Sequence, residues 1–468
     1  MEREKTPWCR VLADAGQRDL VRFVAESLPE GPFRNILIKP NWVRHQVDPR
    51  FPIQALVTSP RLIEAAIEAC LLRYPGLKTI TVADAPVQDC DFDLLCRQSG
   101  IDKLIEKYGQ GPAGEKIRFA DLRRERFKNV NGFLIPSGQA GGDPRGYREV
   151  ILGKESFLDE ICTGSLSFRI SDYEPQHMAQ SHRPGWHRYL IASSALEADL
   201  VINLAKAKTH RLAGITGALK NLVGITGDKS SLAHFRSGSP AAGGDEFCPS
   251  TPAVVKLQSR CRERWQKKSP LAFEVGRRFW QVLRRLWRIE TGLAPSDQGR
   301  NFYQAGGAWP GNDTVWRMIY DLNKIALYAP REGGRLAAVP QRVCFCLVDA
   351  MVAGEGNGPL QPLPVEADLV VASPDPVAAD LLLAAWMGFD WRRIRQLARY
   401  RRLQDAALGM FEPEQIRIDW DGMRLTGIEQ LPERRRFRPA PGWEEIEQAA
   451  QAGACVSCEN LATSSYRL

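Results

Sequence analysis

The sequence predicts an α/β fold: a larger α/β unit with largely parallel strands, followed by a second, smaller α/β unit. Three observations carry this expectation. Short β-rich runs at 35–39, 79–83 and 199–204 each lead into polar residues. Helical periodicity lies between the first two runs and after the second, the pattern of parallel strands joined by crossover helices. Strand and helix signals then restart near residue 343.

The elements follow in order. Asn35-Ile-Leu-Ile-Lys39 is a short apolar run that delivers Pro40-Asn41-Trp42. Ser59-Pro60 opens a helix, with Ser as N-cap and Pro at the first helical position. Leu62, Ala65, Ala66, Ala69 and Cys70 share one face of it, and Pro75-Gly76 stops it. Thr79–Ala83 is the next strand and ends at Asp84, and Asp91–Tyr108 is again helical in period. Ligands of such sheets bind at the carboxyl ends of the strands, where Lys39, Asn41 and Asp84 stand. Residues 110–195 read as loops and small strands. Asp199–Leu204 is a strand, and the polar segment Lys206–Lys229 follows it directly.

Residues 256–290 carry eleven Lys or Arg against three Glu. Phe279, Val282, Leu283 and Leu286 form an apolar face, so this stretch reads as an amphipathic basic helix. Its arginines are either solvated or docked on an anionic membrane or acidic partner. Val343–Val348 is a strand ending at Asp349, Gly354–Pro359 a loop, Asp368–Ser373 a strand and Val377–Met387 a helix. The boundaries expected are an N-terminal domain at 1–255, a basic connector at 256–330, a smaller C-terminal domain at 331–435 and a tail at 436–468.

Composition narrows the functional classes. The chain of 468 residues is 44% hydrophobic and 25% charged, ordinary for a globular protein. A net charge of +8 favours an anionic substrate or surface and does not by itself indicate nucleic acid. Eleven irregularly spaced cysteines do not form a secreted disulfide framework. No apolar run reaches the ~18 residues of a membrane span, and no secretory signal is visible, so a cytoplasmic, reducing setting is expected.

The chemistry concentrates in Lys206–Lys229. Lys206, Lys208 and His210 follow a strand, and Gly214, Thr216 and Gly217 then permit close backbone approach to a ligand before Lys220, Asn221 and Lys229. Such a loop opening a helix offers N–H groups to an anion. A histidine exchanges protons near neutrality, and a desolvated lysine acts as a base or covalent anchor. The segment is neither a P-loop nor a dinucleotide fingerprint, because the glycine spacings differ. Glu355 and Asn357, on the Gly354–Pro359 stretch, are candidate acid/base and binding groups. His177, His182 and His187 recur every five residues and would not share a helical face. Cys455-Val-Ser-Cys458 lacks the second pair that a zinc or iron–sulfur site needs.

Several motifs together are diagnostic: Lys39-Pro-Asn41, Asp199–His210, Gly214–Gly224, Gly243-Gly-Asp245 and Gly354–Pro359. They resemble the family catalogued as domain of unknown function 362, over about residues 33–400. Many relatives look like ferredoxin fusions with clustered cysteines that this chain lacks, so no iron–sulfur cluster is expected. Asp199–Gly224 is also distantly similar to the nickel-pincer lactate racemase family. There a strand leads to a histidine, and a lysine at the spacing of His210 and Lys220 anchors a nucleotide-derived cofactor. A metal-binding histidine lies downstream, and here His234 follows Lys220 by fourteen residues. A glycine pair precedes that family's lysine, where this chain has Ala218-Leu219.

The resemblance implies a lactate-racemase-like fold of two α/β domains with largely parallel sheets and a cleft between them that holds the site, with Lys220 as anchor and His210 and His234 as metal ligands. Its cofactor would be a metal or a Lys-anchored nucleotide derivative. The expected activity is racemase- or epimerase-like proton or hydride transfer on a small hydroxy acid or sugar acid. His210, Lys220 and Glu355 would be catalytic, and Lys39, Asn41, Asp84, Lys206, Lys208, Asn221, Lys229 and Asn357 would bind substrate. The alternative is a phosphate-ligand-binding or electron-transfer accessory protein without catalysis of its own.

Overall fold

The computed structural model describes residues 7–110, 114–130, 133–163, 168–170, 175–253, 255–257, 259 and 306–447. Most of the basic stretch 256–290 and the Cys455/Cys458 pair lie outside them.

A ten-stranded mixed sheet organises the fold. Its strands are β1 (Trp8–Leu12), β2 (Asn35–Lys39), β3 (Thr79–Asp84), β4 (Ile117–Asp121), β5 (Leu200–His210), β6 (Gly214–Thr216), β7 (Val343–Asn357), β8 (Gln361–Ser373), β9 (Arg417–Trp420) and β10 (Met423–Thr426). The order is β10-β9-β1-β8-β7-β5-β2-β3-β4, with β6 folded back on the end of β5. The run from β7 through β5, β2 and β3 to β4 is parallel. Every residue of β5 is buried, as a central parallel strand covered on both faces requires. One face packs on Leu37, Val201, Val348 and the helices Val315–Tyr328 and Pro376–Trp386, the other on Ile36, Ile202, Phe345 and the helix Pro60–Arg73.

The boundaries placed at 256 and 331 do not coincide with a break in this sheet. β7, from the C-terminal half, pairs along β5 from Leu200↔Val343 to Lys208↔Gly354. β1, from the N-terminal end, lies between β8 and β9.

Two local readings change. The stretch Gly354–Pro359 is not a free loop, because β7 continues to Asn357 and forms a long hairpin arm with β8. Its glycines serve close approach: a Cβ on Gly354 would lie 2.9 Å from the Cβ of Lys208, and one on Gly358 would lie 1.9 Å from the Thr209 carbonyl oxygen. The helical stretch after Asp91 is two helices, Phe92–Ser99 and Ile101–Gly109, separated at Gly100 with φ +82°. The helix Pro60–Arg73 starts where expected, with the Ser59 side chain making no cap; instead the Ser59 N–H donates to Asp349 Oδ2 at 2.7 Å.

Candidate functional site

The carboxyl ends of β2, β3 and β5 open on a cavity of about 340 Å³. Lys39, Asn41, Asp84, Lys208 and His210 reach it from the strand ends. Thr216, Lys220, Asn221, Lys229 and His234 reach it from the segment that follows β5. Val43, Ile170, Leu232 and Leu360 supply apolar wall.

A polar frame fixes the floor. Lys39 Nζ pairs with Asp84 Oδ1 at 2.8 Å and also donates to the Pro40 carbonyl and to Asn221 Oδ1. Asp84 also accepts from backbone, Oδ1 from Ala85 N at 2.8 Å and Oδ2 from Trp42 N at 2.6 Å. Asn221 is held in the same frame. Its amide donates to the Lys39 carbonyl and to Asn203 Oδ1, and its oxygen accepts from Lys39 Nζ and Asn41 Nδ2. Asp84 and Asn221 line the cavity and position its lysines. Gly224 is what lets this frame close: a Cβ there would sit 1.8 Å from Asp84 Oδ1.

The amines divide into committed and uncommitted. Lys208 Nζ donates to Asn41 Oδ1 at 2.7 Å and to the Leu56 carbonyl at 2.5 Å. Burial, then the charge of Lys206, holds its pKa well below the ordinary lysine value. Burial, reinforced by Lys39, pushes Lys220 down to about 8. Burial likewise brings Lys229 to about 7, against the pull of Asp84. Asp84 and Asp89, the carboxylates of the cavity wall, are already paired with Lys39 and Arg44. Among the described residues, Lys208, Lys220 and Lys229 have no ion pair.

The two histidines present opposite faces of imidazole chemistry. The turn after β5 needs φ +83° at Gly214, and a Cβ there would press on Ile394 and Trp443 at 3.0 Å. That turn aims the Leu212 and Ala213 N–H groups at His210 Nδ1, at 3.1 and 3.2 Å. Nδ1 is thus an acceptor, and neutral His210 carries its proton on Nε2. His234 is the reverse. Its Nδ1 lies 2.8 Å from the Leu232 carbonyl oxygen, which can only accept, so Nε2 bears the lone pair. Burial first, then Lys220, lowers both pKa values, that of His234 to about 3.

Other expected site residues lie elsewhere. The pairing of β5 with β7 breaks register between Lys206 and Lys208. Lys206 is buried in a pair with Asp349 at 2.9 Å and lines a separate cavity. Glu355 pairs with Arg438 Nε at 2.6 Å, and Asn357 donates to Gln361 Oε1; neither lines the site. Gly214 and Gly217 shape the chain without lining it. The N-terminus of the short helix Ala218–Asn221 does not await a ligand. Asp380 occupies it, accepting from Ala218 N at 2.6 Å and Leu219 N at 3.0 Å, and a Cβ on Gly217 would fall 2.1 Å from its carboxylate. Sequence reasoning passed over Asp380, although it is the one charged residue of the helix PVAADLLLAAW. It passed over Asn203 too, which donates to the Ala218 carbonyl.

The donor set does not fit a protein-held metal. His210 spends Nδ1 on backbone and carries hydrogen on Nε2, His234 offers one lone pair, and no group of three His, Cys, Asp or Glu gathers among the described residues. His182 and His187 do meet, with Nδ1 atoms 3.2 Å apart across a short strand pair, and their other nitrogens go to the Ser231 carbonyl and Asp159. No helix of the described residues is long and apolar enough to cross a membrane.

These features define an α/β protein with an amine-rich cavity at the carboxyl ends of parallel strands. Residues 153–385, which carry β5, the turn, Lys220 and β7, match the model of the family described as Domain of unknown function (DUF362). No curated protein matches in sequence. The solved structures that match this chain include two. A crystal structure of a protein from Thermotoga maritima shares 12% identity at a TM-score of 0.32, over 75% of this chain and 53% of that one. The lactate racemase apoprotein from Thermoanaerobacterium thermosaccharolyticum shares 13% identity at a TM-score of 0.32, over 81% of this chain and 57% of that one. The chain thus spans little more than half the length of either, and the functional reading rests on the cavity itself.

Proposed function

We propose that the protein is an enzyme acting on a small carboxylate, a hydroxy acid or sugar acid, by proton transfer at the carbon beside its oxygen. One observation carries this reading: three amines without an ion pair, those of the buried Lys208 and Lys229 and the half-buried Lys220, share a cavity in which both wall carboxylates are already paired. Burial is the first cause of the lowered pKa values of these amines, and an anion brought among them would offset that cost.

The groups then take distinct roles. Lys220, with Lys208 beside it on the cavity wall, receives the carboxylate. His210 Nε2–H donates to the substrate oxygen on which charge develops, an electrophilic role in place of the acid/base one expected. An amine that titrates near neutrality, Lys229, takes the proton. Thr216 Oγ1 is buried on the cavity wall without a hydrogen bond, an orphan that a bound oxygen satisfies. The alternative, a phosphate-ligand carrier, would use the helix N-terminus that Asp380 fills, which disfavours it.

The test is solvent-deuterium incorporation. The protein is incubated in D2O with a panel of 2-hydroxy acids and sugar acids, and exchange is followed by proton NMR. Exchange with at least one acid, abolished in Lys220→Met and Lys229→Met, is the expected result. A panel in which no acid exchanges, while phosphate compounds alone raise the melting temperature, would favour the carrier.

A further inference from the structure

We propose that Lys220 condenses with the carbonyl group of a 2-oxo acid, so that the substrate is held as an imine in the cavity rather than by charge alone. The inference rests on the anion-receiving reading above and narrows its substrate class to members that carry, or pass through, a carbonyl.

Hydrogen-bond commitments single out the lysine. Lys39 is spent on Asp84, the Pro40 carbonyl and Asn221. Lys208 is fully buried and held by Asn41 and the Leu56 carbonyl, and Lys206 is sealed against Asp349 in another cavity. Lys220 and Lys229 remain, and Lys220 is the less buried of the two. Lys220 is also the leading charged neighbour of both histidines. Its helix is pinned at one end by Asp380 and at the other by the Asn221 network, so the amine is carried on a fixed base.

The step balances without a co-reactant. The Lys220 lone pair attacks the carbonyl carbon, while His210 Nε2–H hydrogen-bonds the oxygen as it gains charge. His234 Nε2 relays protons from nitrogen to oxygen. The C–O bond breaks, C=N forms, and the oxygen leaves as water with one amine proton and one proton from solvent, so the nitrogen keeps its second proton and the product is an iminium. No atom is oxidised or reduced. The iminium then draws electrons from the neighbouring carbon, and the proton lost there goes to Lys229. A lysine titrating near 8 holds on the order of 100-fold more free amine at neutral pH than a solvated lysine.

The probe is pyruvate with sodium cyanoborohydride at pH 7, read by intact mass and peptide mapping of the full chain. The expected result is one carboxyethyl group per chain, on Lys220, formed roughly tenfold or more faster than on any other lysine. Lys220→Arg keeps the charge and should abolish the adduct while pyruvate still raises the melting temperature. The mapping on the wild-type chain needs no variant to fold. If pyruvate raises the melting temperature but the adduct is absent, scattered over surface lysines or located on Lys229, the imine is overturned and the anion reading stands. Purified protein carrying a permanent group on Lys220 also overturns it. No thermal shift with any 2-oxo or 2-hydroxy acid, together with no adduct, removes both.

Discussion

At the scale of the residue, the decisive atom is His210 Nδ1. Two backbone N–H groups converge on it, so protonating it would set three hydrogens against one another. His210 is therefore a donor, and a side chain that donates from a similar position should replace it in part. His210→Ala should lower turnover by roughly 100- to 1,000-fold, the worth of one oxyanion donor, whereas His210→Gln should recover a measurable part of it. Equal losses in the two variants would show that the ring works as an acid/base. The sequence displayed His210 and Lys220 plainly, yet the tautomer depends on where the Gly214 turn aims two amides, which no spacing reveals. Asp84 gives a stability prediction. Asp84→Asn leaves Lys39 buried without its partner and should cost roughly 3–5 kcal/mol in chemical denaturation.

The amines also set a pH dependence. Lys220 and Lys229 titrate in the folded chain at about 8 and about 7, below the ~10.4 of an unfolded lysine. The unfolded chain then binds more protons between those values, so stability rises with pH. The destabilisation is complete below about pH 7 and is relieved between about pH 7 and 10.4. Denaturation midpoints of the ligand-free protein should increase across that window, and Lys229→Met should flatten the increase.

At the scale of the element, the helix Ala218–Asn221 and its cap join the site to the core. Asp380 satisfies two amides of that helix from a neighbouring apolar helix, and burial pushes its own carboxyl up to about 7. Asp380→Ala should cost about 1–3 kcal/mol for each amide left without a partner, and should lower activity by releasing Lys220. Gly224→Ala, whose new methyl would enter the Lys39–Asp84 pair, should destabilise by roughly 1–3 kcal/mol. Normal stability and turnover in both variants would detach the frame from the site. Strands 35–39, 79–84 and the start of β5 were legible because fully buried parallel strands leave continuous apolar runs. The arm Gly354–Asn357 was not legible. Glycine signals a loop in sequence, but here it admits Lys208 and Thr209 of the neighbouring strand at close range. Glu355 was read as an acid on that loop, whereas it holds Arg438.

At the scale of the whole molecule, strands from both ends of the chain complete a single sheet. β5, which carries Lys208 and His210, has β2 on one side and β7 on the other. A fragment of residues 1–255 lacks β7, leaving the central strand with an open apolar edge. It should stay unfolded or aggregate by circular dichroism and gel filtration, and recover structure only with the C-terminal half. A fragment that folds alone would restore the expected boundary at residue 256. Local periodicity could not show this joining, because strand order is set by pairing between segments more than a hundred residues apart. The cavity depends on that joining, since β5 is held in register by both neighbours.

The central claim is that the amines of this cavity stand ready for an anion. Iodide soaked into crystals at pH 6.5, located by anomalous diffraction, tests it without knowledge of the substrate. A peak is expected in contact with Lys220 and Lys229, fading at pH 9 as both amines lose their protons. Iodide bound only on the outer surface at pH 6.5, with none in the cavity, would contradict it.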